Sequence, residues 1–523
     1  MRFFDQPIDF ELVQTTPPVW RAEVRAHRIV GFCTSAKMAG GRLVSLWGSD
    51  RRHLLGDQAE GGFMLHLALA LQPGLVLLDL PLAGGAPVAP DLASVFPSAN
   101  RLQRANFDLL GIRHAGDDTR PWLRNGGWPE DHFPLRHDQP ASKAFPQQAE
   151  AYDFVRVEGD GVHEIPVGPI HAGIIEPGHF RFSIVGERVL RLEERLGYVH
   201  KGIEKRFESL PVHEGHRLAG RVSGDSTVAY AWAYCMAAEA LSGIEITLRA
   251  AWLRALFLER ERVANHLGDL GYLGNDAALG FGLAQFSRLK EDWLRLNAEH
   301  FGHRLLMDRI VPGGTAVDLS ADAGHALPEQ CDAIEKEVRL LKHIYDEHPG
   351  LQDRFLTTGR VSPQLASRLG VIGLAGRASG QMHDLRCRKF HAPWDQLEVH
   401  MAASRQGDVA ARVAVRFDEV FESLRLIRFI CGELRHGDMQ GAVRVPYASG
   451  TPGSRGTGWI EGWRGEVLVS LEAGEKGLIR RCHSSDPSWH NWPALEHAIM
   501  GNIVPDFPLI NKSFNLSYSG VDM

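Results

Sequence analysis

From about Gly197 to Gly437 the sequence is dominated by helical patterns, and this stretch sets the fold class before any other feature does. Apolar stripes of that extent have to be buried against one another, so the larger part of the chain is expected to be a mainly helical body. The clearest pattern runs from Ala250 to Leu270, where Leu256, Val263, Leu267 and Leu270 share one stripe. Glu259, Arg262 and His266 form a second stripe, offset by roughly 75° on a helical wheel. That places three ionisable groups on the shoulder of a buried face. A second helix is expected from Gly407 to Leu434, stopping near Gly437.

The flanks read differently, which makes the fold class α+β. In residues 1–140 the runs RIVGFCTSA, RLVSLWG and GLVLLDL look like strands bounded by turn residues. Phe63 to Leu80 is the most apolar stretch, but His66, Gln72, Pro73 and Gly74 break it. It falls short of the ~20 mainly apolar residues of a spanning helix and reads as a buried helix followed by a strand. The N-terminal MRFFDQPIDFELVQ carries acids where a signal core would be apolar, so no targeting segment is expected. Asp138 to Glu150 is polar and aperiodic, a linker. HFRFSIVGERVLRLEERLG carries Val185-Gly186-Glu187 between two alternating runs, a hairpin. Beyond Val443 short strands and turns return. The chain of 523 residues is therefore divided into an α+β domain over 1–140, a linker over 141–160 and a larger domain over 161–523.

Composition narrows the function. Lys and Arg number 57 against 64 Asp and Glu, a net charge of −7 that argues against a wholesale nucleic-acid binder. The six cysteines never form a C-x-x-C, which argues against a zinc ribbon or a cysteine-held cluster in this chain. No phosphate loop, nucleophile elbow or H-E-x-x-H is present.

Three features carry chemistry. GPIHAGIIEPGHF brings His171, Glu176 and His179 together near Gly and Pro turns, groups suited to relaying protons or meeting a polar headgroup. The alternative is a hairpin whose histidines cap backbone groups. Glu259, Arg262 and His266 are read first as an internal ion-pair network bracing two helices. Arg464, in WRGE, offers a planar donor fork to an anion, or is simply solvated.

GYVHKGIEK (Gly197 to Lys205) resembles the signature shared by the quinone-site subunit of respiratory complex I and the large subunits of membrane-bound [NiFe]-hydrogenases. The resemblance continues through GPIH at Gly168, ERERVANHLGDLG at Glu259, VPGGTAVDL at Val311, GRASGQMHDLR at Gly376, GDVAARVAVRFDEVFES at Gly407 and EGWRGE at Glu461. SVFPSANRLQRANFDLLGIRHAGDD (Ser94 to Asp118), with FPLRHD at Phe133, is similar to the small partner subunit of complex I, although Gln103 and Ala105 stand where that family has glutamates. Nearly the whole chain is covered, in the fused order of formate-hydrogenlyase-type large subunits.

The departures shape the expected function. The resemblance places hydrogenase nickel–iron ligands in two C-x-x-C pairs, whose soft thiolates suit those metals. Here the first pair reads RVSGDS, with Ser223 and Ser226 in the ligand positions. The second reads NLSYSGVD, with Ser517 and Gly520. A neutral hydroxyl cannot replace a bridging thiolate, so no [NiFe] centre is expected, nor a processed tail, since the chain stops at Met523. The tyrosine that complex I sets beside its quinone is matched by Gly224. His171 matches the family's quinone-contacting histidine, and Glu176 the hydrogenase carboxylate that passes protons.

The resemblance implies a peripheral subunit of an NADH-quinone-oxidoreductase-like complex on the cytoplasmic face of the inner or plasma membrane. Its expected partners are a cluster-bearing small subunit, which would hold the Fe-S clusters, and antiporter-like or quinone-chamber membrane subunits. It would couple electron transfer to a quinone or another acceptor with proton movement. His171, Glu176, His179 and Arg464 would handle protons or line the acceptor pocket, and Ser223 and Ser226 with His171 would meet the quinone. Two alternatives stand beside this: a non-catalytic scaffold with an emptied site, and an active hydrogenase, which requires nickel.

Overall fold

The computed structural model describes residues 11–16, 18–55, 60–116, 118–126, 128–140, 145–146, 152–172, 175–436, 439 and 441–523. The N-terminal region is built on a five-stranded sheet. Its strands are β1 (Glu11–Thr16), β2 (Val19–Glu23), β3 (Arg42–Asp50), β4 (Glu60–Ala70) and β5 (Leu75–Ala83), in the order β1-β2-β5-β4-β3. Only β2 and β5 run parallel.

Two sequence expectations fail here. Phe63 to Leu80 is not a helix followed by a strand; it is the hairpin β4–β5, turning at Gln72-Pro73-Gly74. Residues 61–71 are buried on both faces, so the period-2 alternation that marks a half-buried strand is erased. RIVGFCTSA is not a strand either. It lies in helix α1 (Ala26–Met38), which buries Ile29, Phe32, Cys33 and Ala36. That spacing is helical, and the β-branched composition hid it. The expected strands RLVSLWG and GLVLLDL are β3 and β5. Helix α2 (Ala99–Leu110) follows, ended by Gly111 in the left-handed region. Gln103 on α2 is buried and bonds Leu92 N and Asp91, a local structural duty for the residue that departs from the family.

Within the expected linker, residues 141–144 and 147–151 lie outside the described residues. A three-stranded sheet then forms from β6 (Val162–Val167), β7 (His179–Val185) and β8 (Arg188–Arg195), with β7 in the centre. The β7–β8 hairpin turns at Gly186-Glu187 as the sequence implies.

The helical body contains α3 (Thr227–Ser242), α4 (Leu248–Asp276), α5 (Gly280–Phe301), α6 (Ala321–Glu347), the short α7 (Gly373–Ala378) and α8 (Val409–Arg435). Side-chain oxygens of Thr247, Ser320 and Asp408 cap the N-termini of α4, α6 and α8. The expected stop at Gly437 lies outside the described residues. The tail is richer than expected. It contains the sheet β9 (Arg455–Glu461), β10 (Glu466–Ala473) and β11 (Ile479–Ser485), and also two helices, α9 (Ser488–Ala498) and α10 (Phe507–Phe514). Both helices are interrupted or opened by proline (Pro493, Pro508), which made their sequences read as turns. β9 lies directly on α3. A Cβ at Gly456 or Gly458 would come within 1.9 Å of the carbonyls of Ala237 and Ala233.

The N-terminal sheet and the helical body share one continuous apolar core. Polar side chains cross the same boundary. His483 on β11 donates from Nδ1 to Glu204 Oε1 at 2.6 Å and accepts at Nε2 from Ser45 Oγ at 2.8 Å, its ring stacked on Trp47. Arg481 donates to Gly48 O at 3.0 Å.

Candidate functional site

The turn between β6 and β7 carries His171, Glu176 and His179; Gly173 and Ile174 within it lie outside the described residues. His171 Nε2 donates to Gly178 O at 2.7 Å. His179 is buried, with Nδ1 3.4 Å from Gly168 O, and burial holds its imidazole below the usual range. Both histidines thus satisfy backbone carbonyls. Glu176 reaches farther: Oε2 accepts from Ser519 N at 3.2 Å and Ser519 Oγ at 3.4 Å, in the segment that holds the second vacated ligand pair.

The four vacated positions converge although nearly 300 residues separate the two pairs in sequence. Ser223 and Ser226 sit just ahead of α3, and Ser517 and Gly520 follow α10. Ser223 Oγ lies 3.1 Å from Ser517 Oγ and donates to Asp225 Oδ1 at 2.7 Å. Gly520 N donates to Ser517 Oγ at 2.9 Å. Gly520 also has no room for a side chain, since a Cβ would come within 2.7 Å of the Asp486 carboxylate. A Cβ at Gly224, by contrast, would meet nothing within 4 Å.

Arg464 enters this cluster from the turn between β9 and β10. Its Nη1 donates to Asp225 Oδ1 at 2.9 Å and to Ser226 Oγ at 3.2 Å, Nη2 pairs with Asp225 Oδ2, and Nε donates to Asn515 O at 2.5 Å. Burial works against ionisation of Asp225, but Arg464 and Ser223 hold its carboxyl at about 2. Tyr230 on α3 donates to Asp486 Oδ2 at 2.7 Å beside the same cluster. The spacing of the lost cysteines pointed to the serines. It did not point to Asp225, Tyr230 or Asp486, although Asp225 stands between the first two vacated positions.

This donor set does not fit a nickel–iron centre. The ligand positions hold neutral hydroxyls or no side chain in place of soft thiolates: Ser223 and Ser517 bond each other, and Ser226 is taken up by Arg464. Elsewhere, Asp50, His137 and Asp138 group together, but Arg52 already pairs with both aspartates. Next to Asp225 a cavity of about 200 Å³ is lined by Gly224, Glu261, Asn265, Lys290 and Asn297. Glu261 there accepts from Val228 N and Ala229 N at the start of α3, and burial pushes its carboxyl up to about 8.

The second stripe of α4 is a bracing network, as its spacing implied. Arg262 donates to Glu259, and to Gly462 O and Glu461 O at 3.0 and 2.9 Å, so it anchors the turn that carries Arg464. His266 Nε2 bonds Glu419 on α8 at 2.8 Å. Arg377 on α7 donates to Glu419 and to Glu461, and Arg386 donates to Glu259.

Residues 22–145 match the family described as respiratory-chain NADH dehydrogenase, 30 Kd subunit, and residues 280–451 the family described as its 49 Kd subunit. The chain is 28% identical to formate hydrogenlyase subunit 5 of Escherichia coli K12 over 92% of its own length and 85% of that protein. It is 29% identical to the C/D protein of the NADH-quinone oxidoreductase of Bacteroides fragilis over 75% of its length and 78% of that chain. A solved chain from the membrane-bound sulfane sulfur reductase, an archaeal respiratory membrane complex, shares the fold. Its TM-score is 0.65 at 22% identity, over 69% of this chain and 99% of that one. Among the described residues no helix is long and apolar enough to cross a membrane.

Proposed function

We propose that this chain, which joins the 30 kDa and 49 kDa subunit types of complex I and membrane-bound hydrogenases in one polypeptide, is the peripheral acceptor-site subunit of a membrane-bound redox complex. Electrons arrive from Fe-S clusters held by a neighbouring small subunit and pass to a quinone, and the chain supplies the proton chemistry. The observation that carries this reading is the convergence of Ser223, Ser226, Ser517 and Gly520 around Arg464 and Asp225. The metal chemistry is replaced there, while the surrounding framework is kept.

The histidine in the β6–β7 turn fits a headgroup role. With Nε2–H committed to Gly178 O, Nδ1 of His171 is left to take up a proton and pass it to an oxygen of the quinone as the quinone is reduced. Glu176 joins that turn to the vacated site through Ser519. Arg464 holds Asp225 ionised and so keeps a fixed dipole beside the acceptor position.

One observation favours the scaffold reading: the hydroxyls of Ser223 and Ser517 already satisfy each other. Turnover separates the two. In the complex purified from membranes, with its clusters reduced by dithionite, added decylubiquinone should reoxidise the clusters, and His171→Ala should slow this by about 100-fold. Nickel should be well below one atom per chain. Clusters that stay reduced in the wild-type complex overturn the quinone reading.

A further inference from the structure

The bracing network is unbalanced in charge. Three guanidiniums, Arg262, Arg377 and Arg386, meet four carboxyls, Glu259, Asp384, Glu419 and Glu461. None of these side chains belongs to a residue more than 3% exposed. A surplus charge in so dry a place is costly, and a carboxyl relieves it by keeping a proton.

The geometry identifies which carboxyl. Glu259 accepts from Arg386, Arg262 and Ser423. Asp384 accepts from Arg386 side-chain and backbone nitrogens. Glu419 accepts from Arg377, Arg262 and His266. Glu461 has less: Arg377 Nη1 at 2.7 Å and Leu385 N at 3.1 Å. Like charge also surrounds it. Glu466 stands directly opposite on β10, and Asp384 approaches from the turn after α7. The other groups facing it are Arg386 and Cys387 on that turn, and Arg262 on α4, with Glu419 on α8 beyond Arg377. Burial and Asp384 push Glu461 up to about 7, while Glu259, Asp384 and Glu419 are held below the ordinary range.

Glu466 has an outlet. It pairs with Arg42 of β3, accepts from Trp459 Nε1 at 3.0 Å, and lines a groove of about 260 Å³ with Arg42, His383 and Asp384. Behind it, Glu461 and Glu466 close the turn Gly462-Trp463-Arg464-Gly465, which delivers Arg464 to the vacated site.

We propose that Glu461, opposed to Glu466, is a proton-loading site that takes one proton from the groove through Glu466 and returns it by the same route. Its coupling to electron arrival at Arg464 rests on the function proposed above; its proton chemistry does not. Nothing is oxidised or reduced in the step: the proton leaves water in the groove, passes over the Glu466 carboxylate and settles on a Glu461 oxygen.

Infrared spectroscopy of the full chain labelled with ¹³C-glutamate tests this without an electron acceptor, so a failure of the quinone reading leaves the test intact. The expected result is a protonated-carboxyl component that loses half its intensity near pH 7 and is lost in Glu461→Gln, while the component from Glu261, which titrates near 8, remains in both. Exchange of the Glu461 component into D₂O should be about 100-fold slower in Glu466→Gln. If that variant does not fold, Glu466→Asp, whose carboxyl is drawn back by one methylene, is expected to slow exchange as well. A missing Glu461 component, or exchange at the wild-type rate in the folded variant, overturns the proposal.

Discussion

At the scale of single residues, the GYVHKGIEK signature does structural work as well as marking kinship. Glu204 is buried, and its carboxylate holds Arg481 and His483 of β11. Burial opposes ionisation, but the Arg481 guanidinium and the hydrogen bond from His483 hold the carboxyl at about 2 against an ordinary 4.5. A lowered carboxyl pKa adds stability that is fully present above pH 4.5 and is lost as the pH falls through about 2. Glu204→Gln should therefore cost about 3–5 kcal/mol at neutral pH, read by urea unfolding. The gap between variant and wild type should narrow steadily below pH 4.5. A constant gap would mean that the ion pairs contribute nothing. The motif made Glu204 visible; its partners were not, because they lie some 280 residues away on a strand that no motif ties to it.

At the scale of elements, what could be read depended on whether the apolar spacing survived. The long helices α4 and α8 were legible from helical patterning over many turns, although both are buried along most of their length. The hairpin β4–β5 was not, since burial on both faces removes the alternation, and α1 was masked by β-branched residues at helical spacing. Backbone contacts between elements were equally invisible. Gly373, with φ of +61°, begins α7, and a Cβ there would come within 1.8 Å of Arg464 O. Gly373→Ala is expected to push the Arg464 turn away from Asp225 and to cost about 1–3 kcal/mol. Thermal unfolding measures the cost, and a crystal structure of the variant shows whether the turn moved. An unshifted midpoint would contradict the tight contact.

At the scale of the whole molecule, the two regions behave as one body. Apolar side chains from both share the core, and Ser45, Trp47 and Gly48 of β3 are tied to β11 by His483 and Arg481. Fusion in one chain fits that packing, because neither face of the junction is left exposed. The resemblance predicted the convergence of His171's turn, the RVSGDS segment and the C-terminal segment. The Arg464–Asp225 pair was not legible, since it forms only when two segments 239 residues apart meet. It also gives the central claim its sharpest test. An azido-quinone should be photolysed on the membrane-derived complex and the modified peptides mapped. Our account predicts label on the peptide containing His171 or on the one containing Ser223 and Ser226, displaced by excess unlabelled quinone. Label confined to neighbouring subunits, with these peptides untouched, would contradict it and leave the chain a scaffold.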